Sequence, residues 1–440
     1  MSLTGLYLQN FKCLADSGAI RLAPLTLIFG RNNSGKSSLL QSLLLLRQSL
    51  GAPLYGPCLN LAGPLYAAGS YSDIIHLHET KRRLSFELSL KLANGQPAHI
   101  RLSFTNDEPR PPRLASLGVS GGDLLGLGIH RSKGKGGPFE LWIGKDNQGG
   151  EQEARFSFPV NSLFPLIGEE PPRPGRKGGP RTRIRSFAKE ALETLERYLL
   201  QLRVVGAFRR PPARLYEFQG TNTPGADATG RDVIDALIES AIDRRTKVNS
   251  QLFAAVNTWL EKLANVQVAP LSPLSKDGGK LFSIDIRDLE TGRLANYADV
   301  GFGIGQALPV LVEGLRTPPG GLFVVMEPEI HLHPDAQLAM ADFLIELARS
   351  GRQVIVETHS EHLLLRIRRR IVSSGKQRLP KELVSVLYVA RQGDTADKAQ
   401  HLDLDDLGQV ANWPSGFFSE ANNERMALLQ EMAAKIESEE

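Results

Sequence analysis

Apolar and polar positions in the first fifty residues follow three patterns in turn. The two-residue alternation over 6–11 predicts a β-strand. An unbroken apolar run over 25–29 then ends at Gly30, as is typical of a buried strand. After Lys36 the leucines recur with the spacing of one helix face, at positions 39, 40, 43, 44 and 46. The pattern predicts two strands and a helix, with a short polar loop before the helix.

The middle of the chain carries strand patterns first and helix patterns afterwards. Every second residue from Leu84 to Leu92 is apolar, which predicts a strand. Shorter candidate strands, separated by glycine and proline, follow at 99–104, 139–143 and 155–158. Residues 168–186 predict an exposed loop, and helical patterns follow at 187–202 and 233–263.

Strands and helices alternate in the last third of the chain. Strands are predicted at 281–289, 322–326, 353–357 and 384–390. Helices are predicted at 306–315 and 335–349. This alternation is typical of a parallel or mixed sheet covered by helices, so we expect an α/β fold.

Composition excludes several classes of protein. The chain has 440 residues, of which 41% are hydrophobic and 23% charged, with a net charge of +4. These values are ordinary for a globular protein and exclude a largely disordered or collagen-like chain. Two distant cysteines, Cys13 and Cys58, do not form a disulfide framework. The most apolar stretch, 39–46, is interrupted by Gln41 and Ser42 and is far shorter than the roughly 20 residues of a membrane span, so we expect a cytoplasmic protein.

The loop before the first helix matches a phosphate-binding pattern. Gly30-Arg31-Asn32-Asn33-Ser34-Gly35-Lys36-Ser37 fits G-x-x-x-x-G-K-[ST], and Ser38 follows it on the predicted helix. Backbone N–H groups of such a loop surround a β-phosphate, the lysine contacts the β/γ oxygens and the hydroxyl binds Mg²⁺. No N-K-x-D guanine motif follows, so ATP is the expected nucleotide.

Two apolar strands near the C-terminus end in polar groups. The strand at 322–326 is followed by Glu327 and Glu329, and the strand at 353–357 by His359. An acid beside a phosphate loop can hold Mg²⁺ or orient water, and a histidine there can contact a γ-phosphate. The alternatives are two solvated acids in a turn and a buried histidine. The spacings of the nearby histidines do not predict a transition-metal site.

A glycine-rich segment precedes the helix predicted at 306–315. It contains Gly301, Gly303, Gly305 and Gln306. Spaced glycines before a helix can expose N–H groups and the positive end of the helix dipole to an anion. The alternative is a simple turn, but the segment lies shortly before the acidic strand, which favours a functional role.

Together and in this order, the motifs resemble the ABC-type AAA ATPases of the SMC/RecF/OLD-like group, and more closely the stand-alone bacterial members with an HLHP element. The residues that carry the resemblance include the opening Asn10, Phe11 and Lys12, His331-Leu-His333-Pro334, and Trp413-Pro-Ser-Gly-Phe-Phe418. The resemblance implies a P-loop NTPase fold of ABC/SMC-head type, with a mixed sheet, helices and a β-rich and helical insertion. It places an N-terminal ATPase lobe at 1–80, the insertion at 81–295, a C-terminal lobe at 296–395 and an extension at 396–440.

The resemblance also implies functional roles. Glu327, Glu329 and His359 would be catalytic, Ser37 and Glu327 would hold Mg²⁺, and residues 30–38 and 10–12 would bind ATP. His331 and His333 would form the D-loop, and His76 would replace the usual Q-loop glutamine. In a homodimer, the phosphate loop of one chain would face Gly301–Gln306 of the other. Two residues depart from the pattern, because Met326 takes the position of the Mg²⁺ acid and Gly305 that of a serine. Either Glu327 then holds the metal and Glu329 polarises water, or hydrolysis is slow.

Two basic segments, Arg173–Lys189 and Arg366–Arg370, could contact DNA, together with Arg203, Arg209, Arg210 and Arg214. The alternative is solvated surface. The resemblance implies an ATPase that dimerises on ATP and acts in DNA repair or anti-phage defence with a separate effector protein. The alternative function is a nucleotide-gated scaffold with weak hydrolysis that sequesters or releases a partner protein.

Overall fold

The computed structural model describes residues 2–52, 56–121, 124–131, 139–144, 152–153, 163–165, 167, 180–218, 228–230, 232–242, 247–271, 273–274, 280–392, 395–396, 399–414, 417–418, 424 and 426–432. The strand expected at 155–158 and residues 173–179 of the first basic segment lie outside these ranges.

Strands and helices are numbered in chain order. The strands are β1 Ser2–Phe11, β2 Leu14–Asp16, β3 Ile20–Arg21, β4 Leu25–Gly30, β5 Leu84–Lys91, β6 Pro97–Asp107, β7 Arg110–Gly121, β8 Leu124–Arg131, β9 Phe139–Gly144, β10 Gln152–Glu153, β11 Arg203–Val205, β12 Tyr216–Glu217, β13 Val266–Val268, β14 Leu281–Phe282, β15 Asp285–Asp288, β16 Leu294–Asn296, β17 Leu322–Met326, β18 Gln353–Glu357, β19 Val384–Val389, β20 Arg391–Gln392, β21 Thr395–Ala396 and β22 Gln400–Leu402. The helices are α1 Lys36–Ser49, α2 Tyr71–Ile74, α3 Pro180–Leu200, α4 Asp232–Ile242, α5 Lys247–Ala264, α6 Phe302–Arg316, α7 Pro334–Arg349 and α8 Glu361–Val372. Single 3₁₀ turns lie at His76–His78, Gly375–Gln377 and Lys381–Leu383.

The central sheet has the order β11-β17-β18-β4-β19-β22. All neighbouring pairs are parallel except β19 with β22. The strand that leads into the phosphate loop, β4, therefore lies between β18 and β19 in the middle of the sheet. This mixed sheet with helices confirms the α/β fold class. Because carboxyl ends of parallel strands meet at one edge, the ends of β4, β17 and β18 lie together.

A second sheet has the order β10-β9-β8-β7-β6-β5-β1-β2-β21-β20, with β3 beside β1. In this sheet β5 pairs directly with β1, in antiparallel register. The domain boundary expected at residue 80 therefore falls between neighbouring strands of one sheet. In the same way β11, from the expected insertion, pairs with β17 of the central sheet. The division into domains stays a proposal, but the expected insertion supplies strands to both sheets.

Side chains of the central sheet point alternately into two apolar cores. Ile28 packs with the leucines of α1 and the strands of the second sheet. Leu27 and Phe29 face the opposite side, where α4 to α8 cover the sheet. A parallel strand buried on both faces has no polar side, which explains the unbroken apolar run before Gly30.

The structure corrects several sequence expectations. The exposed loop expected over 168–186 becomes helical at Pro180, where α3 begins, so residues 180–189 of the first basic segment lie on this helix. The helix predicted to start at Gln306 begins at Phe302, so that the glycine-rich segment forms its first turn. The single helix expected over 233–263 is two described helices, α4 and α5. The segment that forms β7 carried no strand prediction, and it contains Pro111 and Pro112. These prolines lie before Ser116, where pairing with β8 begins. At the prolines, β7 pairs with β6 but not yet with β8, so a missing N–H group is tolerated on the side of β8.

Candidate functional site

The phosphate loop connects β4 to α1 through backbone conformations that favour glycine. Gly30 has φ +152°, Asn33 φ +62° and Gly35 φ +100°. A Cβ on Gly30 would lie 2.3 Å from the carbonyl oxygen of Val389, at the end of β19. The loop can therefore pass close to the neighbouring strand only with glycine at this position. Arg31, Asn32 and Asn33 are exposed at its tip.

The side chains of Ser34 and Lys36 in this loop point inward. Lys36 is buried, and its Nζ donates hydrogen bonds of 2.9 Å to the carbonyls of Gly30 and Arg31. Burial lowers the pKa of Lys36, while the nearby carboxylates oppose this shift. The Ser34 hydroxyl is buried without a hydrogen-bond partner. No acid occupies the first turn of α1, so its N-terminus can accept an anion, as a phosphate-binding loop requires.

The carboxylate that contacts the phosphate loop is Glu357, a residue that the sequence analysis did not select. Ser37 Oγ donates a 2.7 Å hydrogen bond to Glu357 Oε1. Glu357 Oε2 is buried without a partner, and burial raises the pKa of this carboxyl. Glu357 lies beside Met326 in the register of β17 and β18. One signal was available in the sequence, because Glu357 ends an apolar strand just as the predicted acids follow theirs.

The predicted acids Glu327 and Glu329 occupy different environments. Glu327 is half-buried, has φ +47° and donates its backbone N–H to the carbonyl of Glu357 at 2.7 Å. Glu329 is buried, and its Oε1 accepts a 2.7 Å hydrogen bond from the backbone N–H of His359. Its Oε2 has no partner, and burial raises the pKa of Glu329. Glu329 therefore holds the loop after β18, while Glu327 is the more accessible acid.

His359 is exposed at the start of this loop. Partial desolvation, together with the charge of Lys36, lowers the pKa of its imidazole. The ring therefore favours the neutral form near pH 7, in which one nitrogen donates a hydrogen bond and the other accepts one.

The glycine-rich segment is packed against two other loops. A Cβ on Gly303 would lie 2.8 Å from the carbonyl oxygen of His331, and one on Gly305 would lie 3.0 Å from Pro212 Cγ. Gly305 and Gln306 are buried, whereas Gly301 is exposed. This corrects the expectation that the whole segment Gly301–Gln306 faces a second chain. Only its beginning is exposed.

Phe302 is the exposed aromatic residue at that beginning, and the sequence analysis did not select it. Its side chain is 71% exposed, and its ring lies 5.8 Å from the ring of His331. His331 has φ +60°, while His333 caps α7 by accepting the backbone N–H of Asp335 at 3.4 Å. The two predicted D-loop histidines therefore differ, because His331 contacts the glycine-rich segment and His333 starts the next helix.

Arg209 joins the glycine-rich segment to the acidic strand. Its guanidinium is buried and donates to the carbonyls of Gly206, Gln306, Met326 and Glu327 at 2.7–3.2 Å. Burial lowers its pKa to about 10, so the group stays charged at neutral pH. The expectation that Arg209 contacts DNA is wrong, because no face of its guanidinium is left for a phosphate.

The three residues expected to bind ATP near the N-terminus form contacts within the protein. Phe11 is fully buried against Phe86, with ring centroids 5.7 Å apart, so it cannot contact a nucleotide. Asn10 Nδ2 donates to the Arg83 carbonyl at 2.9 Å, and Lys12 Nζ donates to Gln41 Oε1 on α1 at 2.7 Å. His76 is buried with Nδ1 2.9 Å from the carbonyl of Lys12. These contacts fix the first hairpin against α1, and the Q-loop role of His76 stays a prediction.

The C-terminal aromatic segment supports the strand before the phosphate loop. Phe417 and Phe418 both contact Phe29, with ring centroids 5.4 and 5.7 Å apart. Trp413 Nε1 donates to the carbonyl of Phe417 at 2.6 Å. Phe418 also lines a cavity of about 410 Å³ with Glu329, Gln337, His359, Ser360, Glu361 and His362. The segment therefore reaches the side of the site where both the acid and the histidine lie.

Two arginines of the second basic segment share one carboxylate. Arg366 and Arg370 both bond Asp342, with N···O distances of 2.6 and 2.7 Å. Burial would raise the pKa of Asp342, but the hydrogen bonds from the two arginines outweigh it and lower the pKa. Arg368 donates to the carbonyl of Gly408, while Arg369 is exposed. Arg366–Arg370 is therefore not a continuous free basic surface.

Two of the scattered arginines are also paired. Arg203 bonds Glu313 at 2.9 Å, and Arg214 bonds Asp299 at 2.6 Å. Arg210, next to Arg209, is exposed. Basic charge that can reach a phosphate backbone is therefore smaller than the sequence indicated.

The described ranges contain neither a helix suited to span a membrane nor a cluster of metal-ligating side chains. None of their helices is both long and apolar enough to span a bilayer. In the same residues, no group of three or more His, Cys, Asp or Glu side chains is arranged to hold a metal ion. A Mg²⁺ site of the phosphate-loop kind does not need such a group, because phosphates and water supply most of its ligands.

Solved structures with similar folds include three that contain SMC heads. A crystal structure of the SmcHead bound to the C-winged helix domain of ScpA is 13% identical, with a TM-score of 0.47, over 92% of this chain and 98% of that one. An SMC head domain from Thermotoga maritima is 12% identical, with a TM-score of 0.40, over 92% and 100%. An Smc head domain with an extended coiled coil, bound to the C-terminal domain of ScpA from Pyrococcus furiosus, is 12% identical, with a TM-score of 0.40, over 98% and 99%.

Comparison with curated proteins returned no match. Residues 379–428 match a family described as a protein of unknown function, DUF3696, which covers the aromatic segment at 413–418. Residues 1–108 and 218–364, more than half of the chain, match the family described as the AAA ATPase domain. This match includes the phosphate loop, the glycine-rich segment and both acidic strands, and it confirms the ATPase family expected from the motifs. The chain therefore belongs to the AAA ATPase domain family.

Proposed function

We propose that this protein binds ATP with Mg²⁺ and hydrolyses it, and that ATP closes two copies of the chain around the nucleotide. The observation that carries the proposal is the phosphate loop, in which Lys36 and Ser37 lie at the N-terminus of α1 beside the carboxylate of Glu357. Family membership supports the same activity.

Each polar residue has a role that follows from its position. Lys36 is available to bind the β- and γ-phosphates once it leaves its two loop carbonyls, and Ser37 supplies an oxygen to Mg²⁺. Glu327 orients the attacking water, because it is the accessible acid beside the end of β17. Neutral His359 contacts the γ-phosphate. When bound, Mg²⁺ neutralises phosphate charge.

The exposed start of α6 supports closure of a dimer. Gly301, Phe302 and His331 are exposed together, and nothing lies within 4 Å of a Cβ placed on Gly301. A second copy could therefore bring the phosphates of the ATP bound in its own phosphate loop to this helix N-terminus. We further propose that the cycle acts in the cytoplasm in DNA repair or anti-phage defence, and that a separate protein is the effector.

Steady-state phosphate release by the purified protein, with and without DNA, tests this activity. Lys36→Ala and Glu327→Gln should each abolish turnover, and light scattering should show a dimer that forms with ATP in the wild type but not in Lys36→Ala. A Lys36→Ala variant that hydrolyses ATP at the wild-type rate would contradict the proposal.

A second function is favoured by Met326. A thioether cannot replace an oxygen ligand of Mg²⁺, so hydrolysis could be slow enough for the protein to serve as a nucleotide-gated scaffold. In that case the wild type binds ATP without releasing phosphate above the Lys36→Ala background, and it retains or releases a partner protein according to the bound nucleotide. A Lys36→Ala variant that handles the partner normally would exclude the scaffold.

A further inference from the structure

The carboxylate nearest to the phosphate loop belongs to a different strand from the one expected to supply the magnesium acid. In the expected arrangement the acid sits at the end of β17, where this chain has Met326. The next strand, β18, has Glu357 at the paired position. Paired residues of parallel strands point to the same face of the sheet, so the carboxylate is displaced sideways by one strand and stays on the same face.

The two carboxylate oxygens of Glu357 differ in their contacts. Its side chain is only 4% exposed, and one carboxylate oxygen accepts the hydroxyl hydrogen of Ser37 at 2.7 Å. The other oxygen is buried without any hydrogen bond. The charge of Lys36 lies close enough to offset part of the charge of Glu357. A buried carboxylate oxygen without a hydrogen bond is still costly, and a bound cation would compensate it. Among cations, Mg²⁺ prefers oxygen ligands of this kind beside a phosphate.

The predicted metal ligand Glu327 is placed differently. Its backbone N–H bonds the carbonyl of Glu357, and its left-handed φ of +47° turns the chain out of the strand at this point. The hydroxyl of Ser37 contacts Glu357. The two acids therefore differ in position, because Glu357 lies beside the phosphate loop and Glu327 lies beyond the end of β17.

From this geometry we propose that Glu357, together with Ser37, forms the protein side of the Mg²⁺ site, in place of the acid missing at Met326. This inference rests on the proposed binding of Mg²⁺ and ATP. It leaves Glu327 free for water, and it explains how the chain tolerates a methionine at the end of β17.

The test measures metal binding directly, without turnover. Manganese replaces magnesium, and electron paramagnetic resonance gives its affinity for the protein bound to a non-hydrolysable ATP analogue. In parallel, a fluorescent ATP analogue is titrated with Mg²⁺ and with EDTA. We expect Glu357→Gln to lower the affinity for Mn²⁺ at least tenfold and to change the affinity for the nucleotide in EDTA less than twofold. The matched control Glu327→Gln should keep Mn²⁺ affinity within twofold.

Two further variants keep the inference falsifiable. Met326→Asp added to Glu357→Gln returns an acid to β17 and should recover most of the lost Mn²⁺ affinity. Glu357→Asp keeps the negative charge but moves it away from Ser37, so it should lower the affinity for Mn²⁺ less than Glu357→Gln does. This variant replaces Glu357→Gln in the test if the glutamine variant does not fold.

Several outcomes would overturn the inference. Wild-type Mn²⁺ affinity in the folded Glu357→Gln or Glu357→Asp variant would exclude the role of Glu357 in the metal site. An equal loss of nucleotide affinity in Mg²⁺ and in EDTA would show that Glu357 only positions Ser37. A wild type that binds no nucleotide in either condition would instead contradict the proposed function itself.

Discussion

The two glycine-rich segments of this chain both begin a helix, but their glycines meet different requirements. In the phosphate loop, Gly30 and Gly35 have positive φ, so glycine is needed for the shape of the backbone, and Gly30 is needed also because its backbone lies against the Val389 carbonyl. In the segment Gly301–Gln306, the glycines lie in or next to an ordinary helical turn, and at two of them glycine is needed for space. Gly303 and Gly305 allow the backbone of His331 and the ring of Pro212 to approach.

The difference shows how each segment works. A loop shaped by positive φ presents its N–H groups to a ligand, and Lys36 and Ser37 lie inside it. A helix start held by neighbouring loops presents little besides its first exposed residues, and its position depends on the loops that hold it. The conformation of the first segment thus depends mainly on its own backbone, whereas the position of the second depends on the loops packed against it.

The largest effect that separates the two segments should come from Lys36→Ala. Removing its charged hydrogen bonds to phosphate should weaken ATP binding about 100-fold. Thermal stability should change little, because Lys36 bonds only carbonyls of the loop itself. Titration with a fluorescent ATP analogue measures the loss. Lys12→Met, which alters another partly buried lysine beside α1, is the control and should keep ATP affinity.

The second prediction concerns the link between the glycine-rich segment and the acidic strand. Arg209→Met leaves the buried carbonyls of Gln306, Met326 and Glu327 without their donor, so we expect a loss of about 3 kcal/mol in the free energy of unfolding. Denaturant titration measures it. Arg210→Met, at the adjacent exposed position, should change it by no more than about 0.5 kcal/mol. Equal effects of the two variants would mean that Arg209 does not hold the junction.

The third prediction tests the requirement for space within the second segment. Gly303→Ala places a methyl group 2.8 Å from the carbonyl oxygen of His331. We expect a loss of about 2 kcal/mol in the free energy of unfolding, because the neighbouring loop must shift. Gly301→Ala meets open space and should be nearly neutral. If both substitutions were neutral in denaturant titrations, the contrast between the two glycine segments would not hold.

The smallest effect concerns the acid that lies between the segments. Because burial raises the pKa of Glu329, its ionised form is less stable in the folded protein than in the unfolded chain. Stability is therefore greatest below the ordinary carboxyl pKa and falls as pH rises through the raised folded value. Glu329→Gln should increase the free energy of unfolding by on the order of 1 kcal/mol at pH 7, and by less in acid.

Unfolding curves at pH 4 and pH 7 measure the effect of Glu329→Gln. Glu190→Gln, on the exposed face of α3, serves as the control and should show no such dependence on pH. A Glu329→Gln variant that gains no stability at pH 7 would mean that the carboxylate is compensated in the folded protein.

The parts of the fold that depend on residues close together in the sequence could be predicted from the sequence. The run before Gly30, the loop and the leucines of α1 lie within one short stretch, and periodicity predicts each of them. The start of α6 could not be predicted, because glycine weakens a helix in isolation and only the contacts with His331 and Pro212 explain its presence here.

The residues that complete the site were missed for a related reason. Glu357 gains its importance from lying beside Met326, and this register exists only after β17 and β18 pair. Arg209 looked like one of several surface arginines, because its carbonyl acceptors come from three separate segments of the chain. Phe302 was not selected because the glycines on both sides of it defined the motif. Its exposure follows from the packing of the residues after it.

The position of β4 in the central sheet also affects how the protein is made. Residues 25–30 pair with residues 353–357 and 384–389, and Phe29 packs against Phe417 and Phe418. During synthesis, the phosphate loop leaves the ribosome long before these partners do. A nascent chain therefore lacks both neighbours of β4 until most of the sequence has been translated, and the complete nucleotide site arises only at that late stage. Nucleotide binding is thus coupled to the completeness of the chain, since a polypeptide that stops before β18 cannot assemble the site.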